Sequence, residues 1–195
     1  MKRILSALAL ALLAVSASAF DVVVQDTVAT GVNPVGPFDV VIAGFIPTNG
    51  QIGKLVAVGG PGDVTYTFLG KEAGFNNSFF SPGGSPASIL DSAPVGTTAT
   101  QSGISDLLNF SFATEGIAMV TNGFATNVAP TFAIFSGVGT AYKYILAVSD
   151  GGGGNDRDFD DMVIGVSAVP EPHTYALLLA GLGVVAFVAR RRRPE

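Results

Sequence analysis

The sequence predicts an all-β protein, an antiparallel β-sandwich of jelly-roll or Ig-like form, with an N-terminal signal helix and a C-terminal transmembrane helix added at its ends. Three observations carry that expectation. Apolar and β-branched segments of five to nine residues alternate with Gly, Pro, Asn and Ser through the middle of the chain, the pattern of short strands joined by turns. No segment between residues 20 and 169 sustains a 3.6-residue apolar period. Both ends, in contrast, place a long apolar run beside basic residues.

The first element is the leader, "MKRILSALALALLAVSASAF". Lys2 and Arg3 precede a predominantly apolar run from Ile4 to Val15, short for a membrane span. Ala17 and Ala19 then supply the small-x-small pattern of signal peptidase substrates, so residues 1–19 read as a signal peptide cut before Phe20. Strands follow near 21–25, 38–46, 54–58, 64–69, 108–113, 117–121, 131–136, 142–149 and 162–167. In "VTYTFL", Thr65 and Thr67 alternate with Val64, Tyr66 and Phe68, the period of two of a half-buried strand. Ile104 to Leu108 is the best candidate for a helical turn. Residues 74–103 are the least regular stretch, and long loops of that kind are either functional or covers over the core. Phe75, Phe79 and Phe80 fall in it. These phenylalanines form either a stacking platform for sugar rings, with Tyr66 as a further stacking candidate, or a plug for the open end of the sandwich. The roughly 150 residues from 20 to 169 suffice for one domain with its own core.

Composition excludes several chemistries. Residues 20–169 hold four basic side chains, Lys54, Lys71, Lys143 and Arg157, against thirteen acidic ones, a charge of −9 beside the whole-chain −5. A surface so acidic offers no footprint for nucleic acid. Cysteine is absent, which removes disulfides, thiolate metal sites and cysteine nucleophiles. The single histidine, His173, lies in the C-terminal tail, so residues 20–169 hold no Ser-His-Asp arrangement and no histidine-based zinc site. Glu72 and Glu115 are the only glutamates of this region. Nothing in the pattern aims two carboxylates at one cleft, as glycoside hydrolysis requires, and the expectation is a protein that is not an enzyme.

The acidic stretch "SDGGGGNDRDFDDMVIG" stands apart. Asp150, Asp156, Asp158, Asp160 and Asp161 fall within twelve residues of a chain only 13% charged. Two strands flank the loop and hold its ends, and glycines let the backbone turn carbonyls inward. Hard cations such as calcium take six to eight oxygen ligands of this kind, so the five aspartates are the candidate metal ligands and Ca2+ the candidate cofactor. In an extended segment Asp156, Asp158 and Asp160 share one side, with Arg157 and Phe159 on the other, and Phe159 would pin the loop to the sandwich. The spacing is not that of an EF-hand, because Asn155 stands at position 6 and Asp161 at position 12. The plainer alternative is a solvated acidic turn partly neutralised by Arg157.

The last element is "VPEPHTYALLLAGLGVVAFVARRRRPE". Pro170, Glu171 and Pro172 break the chain from the domain. Thr174 to Ala189 is uncharged, and Arg190, Arg191, Arg192 and Arg193 follow. Read as a transmembrane helix over 174–189, the tail would place the arginines in the cytoplasm and the domain outside, making a single-pass inner-membrane intermediate. Pro-Glu-Pro, an apolar helix and a terminal arginine cluster together resemble the PEP-CTERM sorting tail of Gram-negative bacteria. The resemblance implies processing by an exosortase-type membrane peptidase after signal peptidase has acted, transient contact with the inner membrane, and delivery to the cell surface or beyond. Proteins with this tail accompany extracellular polysaccharide and biofilm production. Further, an aspartate closing a strand, a glycine-rich spacer and D-R-D-F-D-D are similar to the C-terminal motif of a domain-of-unknown-function family of exported bacterial proteins. "YTFLGKEAGFNNSFF" (66–80) resembles that family's N-terminal strand and loop. This second resemblance implies a calcium-associated β-sandwich, with Asp150, Asp156, Asp158 and Asp161 at its acidic positions. The function expected is structural or interactive, at the cell surface or in the matrix. The alternative is a carbohydrate-binding module for extracellular polysaccharide.

Overall fold

The computed structural model describes residues 20–28, 50–115, 118–126, 128–151, 159–169 and 172–191. Eleven strands occur among them: β1 Asp21–Val28, β2 Gly50–Val58, β3 Gly62–Gly70, β4 Asn77–Phe80, β5 Ser88–Leu90, β6 Thr98–Ile104, β7 Ser111–Thr114, β8 Ala118–Thr121, β9 Thr131–Ser136, β10 Tyr144–Ser149 and β11 Met162–Val169. They form a seven-stranded sheet in the order β1-β2-β9-β10-β11-β3-β6 and a four-stranded sheet in the order β5-β4-β7-β8. Each pairing between these strands is antiparallel. The expected all-β, antiparallel character holds.

One core cluster joins the two sheets. Tyr66, Phe68, Phe132, Leu146 and Ile164 reach into it from the large sheet, and Phe79, Ile89, Phe112 and Val120 from the small one. Aromatic rings fill its centre. Tyr66 and Phe79 lie 4.8 Å apart between centroids, and Phe112 and Phe132 5.7 Å, within the range of favourable tilted contact. Burial of this kind contributes about 1.5–3 kcal/mol per large side chain before entropy is counted.

The central strands of the large sheet bury both faces. In β9, β10 and β11 the even-numbered positions Phe132, Ile134, Leu146, Val148, Met162 and Ile164 enter the shared core. The odd-numbered Ala133, Phe135, Ile145, Ala147 and Val163 form a second cluster with Leu69 and Phe159, flanked by Tyr142. Two-sided burial is why "TFAIF", "YILAV" and "MVIGV" read as continuous apolar runs instead of alternating ones. Gly165 serves the outer cluster directly, because a side-chain carbon there would run into the Tyr142 ring.

Several expectations change. Ile104 to Leu108 forms no helix. Ile104 ends β6, Leu107 bridges to Val56, and the Leu108 N–H donates to the Leu55 carbonyl at 3.1 Å. Asn122, buried, secures that corner. Its Oδ1 accepts from the Leu55 N–H at 3.0 Å, and its Nδ2 donates to the carbonyls of Leu55 (2.9 Å) and Leu108 (2.7 Å). Tertiary partners thus take the backbone groups a helical turn would have used. The irregular stretch 74–103 contains β4 and β5 and all but the last residue of β6. The strand expected at 38–46 and the signal helix over 1–19 lie outside the described residues.

At the C-terminus a helix forms, α1 (Pro172–Arg191), with Arg190 and Arg191 in its last turn, where cations complement the helix dipole. The expected transmembrane span is not supported: among the described residues no helix is long and apolar enough to cross a membrane. The sequence contains the reason. The uncharged run of 16 residues, 174–189, rises about 24 Å as a helix, short of the roughly 30 Å of a hydrocarbon core.

Candidate functional site

The acidic loop leaves β10 at Ser149 and re-enters the large sheet at Met162, so the two ends of the segment are held by neighbouring strands of one ladder. That ladder brings Asp150 and Asp161 together, and these two and Asp160 are all buried. The Asp150 N–H donates to Asp161 Oδ2 at 2.7 Å, and the Asp161 N–H donates to the Val148 carbonyl at 3.2 Å. The Asp160 carbonyl accepts from the Glu72 N–H at 2.9 Å, which ties the loop to the segment just after β3. Asp156 and Asp158, with Arg157, lie outside the described residues.

Phe159 acts as the expected pin. Its side chain is 2% exposed within the outer cluster of the large sheet. Its φ of 54° lies in the left-handed region, costly for an aromatic residue and tolerated only where surrounding contacts over-determine the backbone. The chain accepts that strain to turn the phenyl ring onto the outer face while Asp160 and Asp161 stay at the strand end.

The hub of the site is a residue the sequence reading did not single out. Asn77, 2% exposed at the start of β4, donates from Nδ2 to Asp150 Oδ2 at 2.9 Å. Its Oδ1 accepts from the Thr114 hydroxyl at 2.7 Å, and its backbone N–H donates to Asp91 Oδ2 at 3.0 Å. The same Asp91 oxygen pairs with Lys71 Nζ at 2.7 Å. A continuous polar chain therefore runs from Lys71 through Asp91 and Asn77 to Asp150 and Asp161, linking the small sheet to the acidic loop. Buried carboxylates are tolerable when donors of this kind meet them. An asparagine suits the hub because its amide offers both a donor and an acceptor. The signal in the sequence was the second polar residue of "GFNNSFF", set against an aromatic run where a purely apolar strand would be expected.

The described part of the site is a set of hydrogen-bonded acceptors. Among the described residues no group of three or more acidic side chains stands where it could hold a metal ion. One oxygen of Asp150 and one of Asp161 are already engaged by protein N–H donors. These residues do not by themselves fit a calcium ion.

The sugar-stacking platform is corrected by burial. Tyr66 and Phe79 are fully buried in the shared core, where the Tyr66 hydroxyl donates to Gln101 Oε1 at 2.9 Å. Burial pushes the Tyr66 phenol well above its ordinary pKa, so it remains a neutral donor. Phe75 and Phe80 are partly exposed. Two of the four expected rings thus support the core, which is the plug reading for Phe79. Of the two glutamates in residues 20–169, Glu115 accepts from the Asn76 side chain and Glu72 is exposed.

At the processing end, β11 runs to Val169. Pro170, Glu171, Arg192 and Arg193 lie outside the described residues, as do Ala17 and Ala19, whereas Arg190 and Arg191 are exposed on α1. Residues 168–193 match the PEP-CTERM protein-sorting motif. No curated protein and no solved structure matches the chain.

Replacing Asn77 with alanine removes the amide donor to Asp150 and the acceptor of the Thr114 hydroxyl. It is expected to cost about 2–4 kcal/mol in urea unfolding. Asn76→Ala, at an exposed neighbour, is expected to stay within about 0.5 kcal/mol of wild type. Equal stability of the two variants would contradict the hub assignment.

Proposed function

We propose that this chain is a cell-surface or extracellular-matrix protein whose β domain has a structural or interaction role in exopolysaccharide or biofilm. The observation that carries the reading is the PEP-CTERM sorting motif at residues 168–193. That motif implies processing by an exosortase during export and delivery to the cell surface. The domain's chemistry agrees with such a life. It lacks cysteine, so its stability does not depend on the redox state of the compartment. Its surplus of negative charge favours solubility and contact with cations over contact with anionic polymers.

The acidic loop braces the large sheet against the small one through Asp150 and Asn77. Support for a further brace by a hard cation comes from the count of carboxylates, five against one arginine between Asp150 and Asp161. Any such ion would need Asp156 and Asp158 as well, because Asp150 and Asp161 already accept hydrogen bonds from protein N–H donors. Calcium fits the oxygen-only donor set. The carbohydrate-binding alternative rests on Phe75 and Phe80 alone, since Tyr66 and Phe79 are interior.

Two outcomes test the reading. A chain lacking residues 170–195, produced in an exporting host that carries the exosortase, is expected to disappear from the surface fraction. Undiminished surface display without the tail would contradict sorting through it. For the loop, the processed protein is expected to melt about 4 °C higher in 1 mM calcium than in chelator, if the site has the sub-millimolar affinity usual for extracellular modules. The shift should vanish in Asp156→Asn/Asp158→Asn. A melt indifferent to calcium, or an equal shift in the double variant, removes the ion from the account and leaves the hydrogen-bonded brace.

A further inference from the structure

We infer that the two processing junctions of this chain share one base, and that the seated Phe20 ring fixes how far into the domain the tail can be cut. The inference rests on reading residues 1–19 as a leader and residues 170–195 as a sorting tail. Three separate contacts bring the ends together. Phe20, the first residue after the leader, is 6% exposed and lies over Gly62, where any side-chain carbon would run into its ring. The next residue of β3, Asp63, pairs with Val169, the last residue before Pro170. Asp21 forms an ion pair with Lys143, whose backbone N–H donates to the Val166 carbonyl at 2.8 Å. Both ends therefore meet at the start of β3. Asp160 lies beyond the other end of the same strand, held by Glu72. The nine residues of β3 separate the two ends by about 27–30 Å.

A peptidase must hold residues on both sides of the scissile amide as free, extended chain. Phe20 in its notch, with Asp21 in register opposite Val58, cannot be presented that way. The leader is therefore cut before the ring seats. At the other junction Ala168 and Val169 are held against Val64 and Asp63. The tail's amide is consequently cut after Val169. Its C–N bond breaks, the carbonyl carbon passes to water or to an acceptor amine, and the proton goes to the leaving nitrogen. Ala168 packs against the same core cluster that contains Phe20, so loss of the ring loosens the last residues of β11 and opens them to the peptidase.

The test uses the full-length chain in an exporting host with its processing peptidase, and reads the intact mass of the surface protein. Wild type is expected to begin at Phe20 and to show one C-terminus at Val169 or beyond. Phe20→Ala is expected to melt about 10 °C lower and to show a ragged set of C-termini reaching back into residues 165–169. Gly74→Ala, at an exposed site with nothing within 4 Å, is expected to match wild type at both ends. If Phe20→Ala does not accumulate, Phe20→Leu takes its place and is judged by the same two outcomes. A wild-type C-terminus before Val169, or a single sharp C-terminus in the destabilised variant, overturns the shared base. Wild-type surface protein that retains both residues 1–19 and Arg190 to Arg193 overturns the reading of the ends instead.

Discussion

The structure depends on one constraint: strands β9, β10 and β11 are buried on both faces. A sheet covered on one side only could end its strands in solvated turns. Here Ala133, Phe135, Ile145, Ala147 and Val163 need a cover on the side away from the small sheet. The chain meets part of that need with Phe159, delivered from the acidic loop, and with Tyr142. The loop is thus committed to the large sheet by an apolar contact. Its left-handed turn at Phe159 is the local cost of reversing direction between that face and the strand end. Register follows from the same constraint, since a slip of one residue in β10 would exchange Leu146 and Val148 for Ile145 and Ala147 across the sheet.

Two-sided burial also explains why the polar groups are where they are. The sheet ends that receive the loop lie in an interior with little water, so Asp150 and Asp161 need donors close by. Asn77, Asp91 and Lys71 supply a connected route from those carboxylates to the partly exposed Lys71 ammonium. Asn122 and Gln101 do the equivalent work elsewhere. Asn122 closes the corner between β2 and the segment leading into β7, and Gln101 joins the Tyr66 hydroxyl to the carbonyls of Pro82 and Asn109. Each of these side chains uses both ends of its amide. Truncating any of them would leave backbone groups unpaired in the interior, where each costs about 1–3 kcal/mol.

What the sequence disclosed and what it concealed divide along physical lines. The long apolar strands were legible: 131–136 coincides with β9, and 142–149 and 162–167 fall on β10 and β11. The Phe159 pin was legible as the one large apolar side chain of the acidic stretch, but the left-handed backbone that seats it was not, since side-chain alternation assumes an extended segment. The short strands β4 and β5 were not, because three or four residues such as "NSFF" and "SIL" are too few to establish a period. β6, "TATQSGI", was hidden by its small polar composition and by Gln101, which points inward and is satisfied by partners distant in sequence. Residues 104–108 misled because local spacing suggested a turn of helix where Leu55 and Asn122 supply the hydrogen bonds. The hub at Asn77 and its link to Asp150 lie 73 positions apart, a pairing no local pattern can announce.

The central claim is that the doubly covered strands organise everything attached to them, from the acidic loop to the converging chain ends. Native-state hydrogen exchange on the full-length protein tests it most directly, because amides that open only on global unfolding mark the organising unit. The account predicts that the backbone amides of Leu146 to Val148 and Val163 to Val166 exchange last. The contrary result is slowest exchange in the small sheet, at Phe79 and Phe112, with β10 and β11 opening first.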